Sequence, residues 1–208
     1  GRPLPPDLKE PRKVAESIKM MNVKHAVITS VDRDELQDGG ASIWAETINQ
    51  IRKLCPNTTM ETLIPDFKGN KKDIQKIIDV APEVVSHNIE TVERLTKKVR
   101  IQAKYNRSLE VLKFLHSSGM RTKSGIMLGL GETDDEVVKT MKDLRSVGVS
   151  IMTIGQYLQP TKKHLPIVEF IHPDKFDNFK KIGLDIGFRI VESGPLVRSS
   201  YHAEKHMY

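Results

Sequence analysis

With 208 residues the chain is long enough to bury a sizeable core in one domain, and 33 basic against 27 acidic residues leave a net charge of +6, spread without a basic block. That spread, with aromatic residues at 5%, excludes a compositional case for nucleic-acid binding, and no apolar run approaches the ~18 residues of a membrane-spanning helix. A single cysteine excludes an internal disulfide, so the cytoplasm, or the mitochondrial matrix in a eukaryote, is the expected compartment.

In chain order, a helix is expected over 11–21, a strand over 25–30, a helix over 42–54 and a strand over 58–64. A helix over 71–80, a strand over 84–88, a helix over 108–118 and a strand over 122–128 follow. The series closes with a helix over 133–146, a strand over 151–157, a helix over 173–186 and a strand over 188–192. The strands are short, rich in Val, Ile, Thr and Met, and show little polar alternation, which is the pattern of strands buried on both faces. Gly119 and Gly148 fit helix C-caps, and Thr133 with Glu136 fits a capping box. Strands alternating with helices make a parallel sheet. No glycine-rich dinucleotide fingerprint follows the first strand, which favours a (β/α) barrel over a doubly wound sheet. Residues 1–208 are read as one such barrel domain.

In such barrels the chemistry gathers at the C-terminal ends of the strands. After the first strand come Thr29 and Ser30, then an acidic loop with Asp32, Asp34, Glu35 and Asp38. Those carboxylates suit a divalent metal, a ligand's ammonium or hydroxyl groups, or plain helix capping. The third strand ends in His87, Asn88 and Glu90, where His87 reads as a satisfied core histidine. Tyr105 and Arg107 read as an exposed turn before a helix, with Arg107 either capping or meeting a carboxylate. Gly125, Gly129 and Gly131 lead into a helix, giving either close backbone approach to a ligand or a tight turn. Lys162, Lys163 and His164 form a loop open to an acidic partner or to solvent. Cys55, at an expected helix end, reads as a structural thiol, and Lys123 as lying at the start of its strand on the wrong face for a Schiff base. Near the C-terminus Gly194-Pro195 breaks the last strand, and Arg198-Ser199-Ser200-Tyr201 forms a polar tip suited to an anion or a metal cluster. No nucleophile–base triad is legible.

Five runs together resemble the lipoyl synthase family of radical S-adenosylmethionine enzymes. They are Gly1-Arg2-Pro3-Leu4-Pro5, Ile28 to Asp34, Glu83 to Val92, Lys123 to Glu132 and Thr153 to His164, and the Arg198-Ser199-Ser200-Tyr201 tip completes the likeness. The resemblance implies an α/β fold, a partial (β/α)6 TIM-type barrel whose first strand and cluster loop precede this chain. It implies an enzyme that attaches two sulfur atoms, at C6 and C8, to an octanoyl chain held on a carrier-protein lysine. One [4Fe–4S] cluster would cleave S-adenosylmethionine to a radical that takes the two hydrogens, and a second, auxiliary cluster would be consumed as sulfur source. The partners implied are octanoylated lipoyl-carrier domains of 2-oxoacid dehydrogenases and the glycine-cleavage carrier protein, with no nucleic acid and no membrane.

By the same resemblance Ser200, with Ser199 the second choice, is the serine ligand of the auxiliary cluster, and Arg198 stands beside it. Thr29, Ser30, Asp32, Asn88, Glu90, Gly125, Gly129 and Gly131 are cofactor-binding positions, the glycine segment on the adenine side. The chain departs from the family in its cysteines, because Cys55 matches neither cluster motif. The expectation is therefore a C-terminal portion, inactive alone and prone to associate through an unpaired sheet edge. The rival expectation is a non-catalytic truncated barrel that binds octanoylated carrier domains.

Overall fold

The computed structural model describes residues 3–207, so Gly1 and Arg2 of the opening run lie outside the described residues. The first helix, α1 (Glu10–Met21), is followed by β1 (His25–Thr29), α2 (Ala41–Leu54), β2 (Thr59–Leu63), α3 (Lys71–Val80) and β3 (Val84–Ser86). Then come a short α4 (Thr96–Val99), α5 (Tyr105–Ser117), β4 (Thr122–Leu128), α6 (Asp134–Ser146), β5 (Ile151–Gln156), α7 (Pro173–Ile186) and β6 (Ile190–Ser193). All six strands pair in parallel in the order β1-β2-β3-β4-β5-β6, the order of a TIM-type barrel and not of a doubly wound sheet. Among the described residues β1 and β6 do not pair with each other, so the ring is a partial barrel. A strand ahead of these six, as the resemblance implies, would be a seventh.

The apolar core lies between sheet and helices. Ile126 and Leu128 of β4 and Met152 and Ile154 of β5 pack with Val137, Met141 and Leu144 of α6 and Phe176 and Phe179 of α7. Every residue of β5 is buried, as its unalternating sequence requires. Side chains one position over point into the barrel, and several there are polar: Glu61, Ser86 and Lys123 have no solvent exposure.

Boundaries differ from the sequence expectation where capping decides. The last strand begins at Ile190 because Gly187 is left-handed (φ +103°) and the Phe188 amide donates back to Gly183, making Phe188 part of the α7 cap. The fifth helix begins at Tyr105, three residues earlier than expected, and Tyr105 is buried with its hydroxyl donating to Asp143 at 2.9 Å. The expected exposed turn there is corrected to a helix start. Arg107 meets Asp66 at 3.2 Å.

At the start of α6 the Thr133 hydroxyl accepts from the Glu136 amide, while the Glu136 carboxylate accepts from the Thr133 amide and from Arg94. These bonds hold the Glu136 carboxyl down at about 2, the Arg94 guanidinium contributing most. Thr133→Ala is expected to cost about 1 kcal/mol of stability, read as a lowered urea midpoint with an unchanged slope.

Candidate functional site

Deep in the barrel, Lys123 of β4 reaches across to β2. Its Nζ donates to both carboxylate oxygens of Glu61, at 2.8 and 2.9 Å, and to the backbone carbonyl of Ser199. Ser86 of β3 donates to the same carboxylate at 2.6 Å, and the His206 ring lies 3.2 Å from Nζ. Burial works to raise the Glu61 carboxyl, but the nearby His206 ring and the bonds from Lys123 and Ser86 outweigh it and hold it below its ordinary 4.5. Lys123, the second residue of β4, lies at the start of its strand as expected, and its side chain points into the barrel interior. Its position early in β4 sets it below the mouth, where it grips the chain's last segment.

That segment runs from the end of β6 down into the barrel. Gly155 lets it pass, since a Cβ there would collide with the Val197 carbonyl. Farther on, Arg121 donates to the carbonyls of His206 and Met207 at 3.0 and 2.7 Å, and Arg189 donates to that of His206 at 3.1 Å.

Above the ion pair, at the C-terminal ends of the strands, lies a cavity of about 300 Å³. Asn88, Glu90, Thr153, Gly155, Gln156, Arg198 and Ser199 line it, with apolar walls from Leu63, Met127, Leu158 and Val197. The Oδ1 of Asn88 is buried and has no hydrogen-bond partner. Glu90 holds a left-handed backbone (φ +66°), locked because its amide donates to Gly125 O and its carbonyl accepts from the Met127 amide, both at 2.9 Å. Burial pushes the Glu90 carboxyl above its ordinary 4.5, against Asn88 and Arg100. Arg100 bonds the Ser108 hydroxyl at 2.9 Å and also attracts Asp32, whose carboxyl is raised by burial and by Asp34 and Asp66.

The glycines act beneath this surface. A Cβ on Gly125 would collide with Thr153 Oγ1 and stand 3.2 Å from Asn88 Oδ1, so Gly125 lets those two side chains close on β4. Gly129 (φ +101°) seats the Gln156 amide and the Glu169 carbonyl, and Gly131 adjoins the Val168 side chain at 3.7 Å. None of the three is among the residues lining the cavity.

The other expected residues scatter. Thr29 and Ser30 line a separate cavity between β1 and α2, where the Trp44 indole donates to Ser30 at 3.2 Å. Asp38 caps α2 and pairs with Lys76 at 2.8 Å, and Glu35 pairs with Arg33. Burial would raise Asp38, and the bonds from Lys76 and Ser42 hold it well below the carboxylate range. Ser200 is exposed and lines a cavity with Lys24, His25, Thr59 and Arg121, all at the N-terminal ends of strands, whereas Arg198 and Ser199 face the mouth. His87 is a satisfied core histidine, bonding Ile64 O and Ser108, with burial lowering its pKa to about 4. Thr153 and Gly155 were missed as site residues because an apolar strand carries no signal for which side chain ends at a mouth.

The fit to cofactors divides. A buried acceptor beside an ionisable carboxyl, over apolar walls, suits an adenosyl ligand with amino and hydroxyl donors. Iron–sulfur clusters do not fit the residues present. Cys55 is buried with its Sγ toward Ala15 O at 3.7 Å, and among the described residues no group of three His, Cys, Asp or Glu could hold a metal ion. No helix among the described residues is long and apolar enough to cross a membrane.

A family model for the Radical SAM superfamily matches residues 1–144. The chain is 65% identical over its whole length to a lipoyl synthase of Christiangramia forsetii, spanning 71% of that protein. It is also 65% identical to the mitochondrial lipoyl synthase of Nematostella vectensis, spanning 72% of it. In fold it is similar to a maturase of the [FeFe]-hydrogenase (TM-score 0.68, 16% identity, covering 92% of this chain and 46% of that one). Methylornithine synthase is a second such likeness (TM-score 0.65, 12% identity, 93% and 64% covered).

Two outcomes are expected from the buried charges. Lys123→Met leaves the Glu61 carboxylate without its cation and should cost about 3–5 kcal/mol, most of it recovered in the Lys123→Met/Glu61→Leu double variant; urea unfolding measures both. Because the folded Glu61 value is depressed, its contribution is complete above 4.5 and fades as the pH falls through that lower value. Glu90 has the opposite sign. Its raised value means stability declines as the pH rises from 4.5 through the folded value, so Glu90→Gln should melt higher than the parent at neutral pH and match it below 4.5.

Proposed function

The chain belongs to the lipoyl synthase family within the Radical SAM superfamily, and from that premise we propose that it forms the barrel of a sulfurtransferase. The reaction is the attachment of two sulfur atoms, at C6 and C8, to an octanoyl chain on a carrier-protein lysine. The observation that carries this reading is the mouth cavity, where the orphaned Asn88 acceptor and the raised Glu90 carboxyl meet Arg198 and Ser199 of the C-terminal tip.

S-adenosylmethionine, when bound, supplies the radical chemistry that unactivated C–H bonds require. Asn88 accepts a hydrogen bond from it and Glu90 orients its polar groups. Gly125 and Gly129 keep the shelf beneath it shallow by letting Asn88, Thr153 and Gln156 close on β4, and Gly131 belongs to the same proposed set beside Val168. Asp32 acts through Arg100, which it shares electrostatically with Glu90. Thr29 and Ser30 belong to the same proposed set but shape the neighbouring loop from their own cavity. Leu63, Met127, Leu158 and Val197 offer an apolar lining for an acyl chain and exclude water from it.

The family implies [4Fe–4S] clusters, and the residues of this chain do not fit them, so no step is assigned to a cluster. The serine ligand role proposed for Ser200, or Ser199, is the one contribution this chain would make to such a site. The partners proposed are octanoylated lipoyl-carrier domains of 2-oxoacid dehydrogenases and of the glycine-cleavage system. The relatives include bacterial and mitochondrial proteins, and the cytoplasm or mitochondrial matrix is the compartment proposed.

A second reading, a non-catalytic barrel that binds acylated carrier domains, is favoured by the lone buried cysteine. Calorimetric titration separates the two. The 1–208 chain should bind S-adenosylmethionine, and Asn88→Ala should weaken that binding about tenfold by leaving a ligand donor unpaired. A chain that binds an octanoylated carrier domain and shows no heat with S-adenosylmethionine would support the module instead.

A further inference from the structure

A substrate chain fixed to another protein reaches the mouth only if that protein docks at the rim, and the inference that follows rests on that reading. We propose that the β3–α5 loop is the docking surface for an acidic carrier domain presenting its acylated lysine. Between Arg94 and Leu109 the sequence has six cations and no aspartate or glutamate. Three of the six are engaged: Arg94 with Glu136 and Gly131 O, Arg107 with Asp66, and Arg100 turned inward on Ser108. The remaining three, Lys97, Lys98 and Lys104, are exposed and have no carboxylate partner among the described residues. Some lysines elsewhere sit beside carboxylates, such as Lys13 with Asp7, Lys76 with Asp38 and Lys175 with Asp134, whereas Lys19, Lys53 and Lys113 on the outer helices have no ion pair among the described residues either; what sets the loop apart is its acid-free stretch at the rim of the mouth.

Amid these free cations stands Ile101, 90% exposed, on a loop that buried Leu95, Thr96 and Tyr105 hold fixed. An exposed apolar side chain within an acid-free stretch that carries three exposed lysines is the form of a protein-recognition patch. It is a poor nucleic-acid platform, since the loop's one aromatic residue, Tyr105, is buried and offers no face for a base. The patch continues around the mouth. Arg94 ties it to the β4–α6 loop, and the Val168 amide donates to Gly129 O at 2.8 Å, tying that loop to the β5–α7 segment. There Lys162, Lys163 and His164 are exposed beside Val168 and Phe170, the last 71% exposed, with Glu169 the one acid between them. The overall charge balance hides this patch, because the acidic residues that offset it lie outside 94–109.

The test compares Lys97→Glu/Lys98→Glu/Lys104→Glu with a control carrying the same charge change on outer helices, Lys19→Glu/Lys53→Glu/Lys113→Glu. Three immobilised probes are used: an octanoylated lipoyl-carrier domain, a short octanoyl-lysine peptide and a single-stranded oligonucleotide. The loop variant should lose about tenfold or more in affinity for the carrier domain, through a slower on-rate and a flattened salt dependence, with peptide binding unchanged. The control should keep the parent's carrier affinity, and Ile101→Asp should speed dissociation. Equal carrier binding by loop variant and parent overturns the proposal, as does equal loss in both triples or tighter binding of the oligonucleotide. A parent that binds the peptide but not the carrier overturns the docking surface and leaves the proposed function standing. A parent that binds neither overturns both. If the triple variant melts below the parent, Lys97→Gln/Lys98→Gln replaces it in the same comparison.

Discussion

A fully buried glutamate and lysine, locked together inside the barrel, constrain everything above them. Glu61 and Lys123 stand on strands separated by β3, and neither can be ionised in a dry interior unless the other is in place. The remaining valences of the pair are met by Ser86 and by the Ser199 carbonyl. The second of these lies 76 residues from Lys123 in sequence, so satisfying the charge draws the end of the chain into the middle of the fold. An apolar filling would pack as tightly but would give no reason for one backbone carbonyl to sit at one height in the barrel.

The mouth follows from that anchorage. Once Ser199 O is held by Lys123, Val197 must cross the barrel over Gly155, and Arg198 emerges beside Asn88 and Glu90. The cavity is thus closed by strand ends of β2 to β5 together with residues 197–199. Glu90 fits the same logic from the other side: its left-handed turn is held by two β4 backbone bonds, which aims its carboxyl inward in spite of burial. The polar groups of the cavity are fixed by the scaffold, which would lower the ordering cost of the association proposed there.

Much of this was legible from the residues, and the omissions have physical causes. Six apolar strands, six helices and their order follow from periodicity and caps, and the Thr133–Glu136 box was readable letter by letter. Asn88 and Glu90, singled out as polar residues at a strand end, do line the mouth cavity. Lys123 was placed correctly at the start of its strand, but its ion pair was not legible, because its partner Glu61 stands 62 residues away on another strand. Tyr105 was mistaken for a turn residue because its burial depends on Asp143, far off in sequence. Thr29 and Ser30 were grouped with the mouth by their strand-end position, yet β1 lies at the sheet edge, where its end opens toward α2. The charged patch around Ile101 was invisible for a different reason: only the structure shows which cations are already matched.

The parallel order of the strands also governs how the molecule can be made. Each strand pairs with the one synthesised just before it, so the sheet can grow from β1 toward β6 as the chain emerges, with local contacts forming first. Glu61 and Lys123 would meet midway through that growth, but Ser199 arrives only at the end. Until then the ion pair lacks its carbonyl and the barrel interior is open to water. The segment that carries Ser199 and His206 acts as a stopper that closes the barrel interior and dries the charge that holds it.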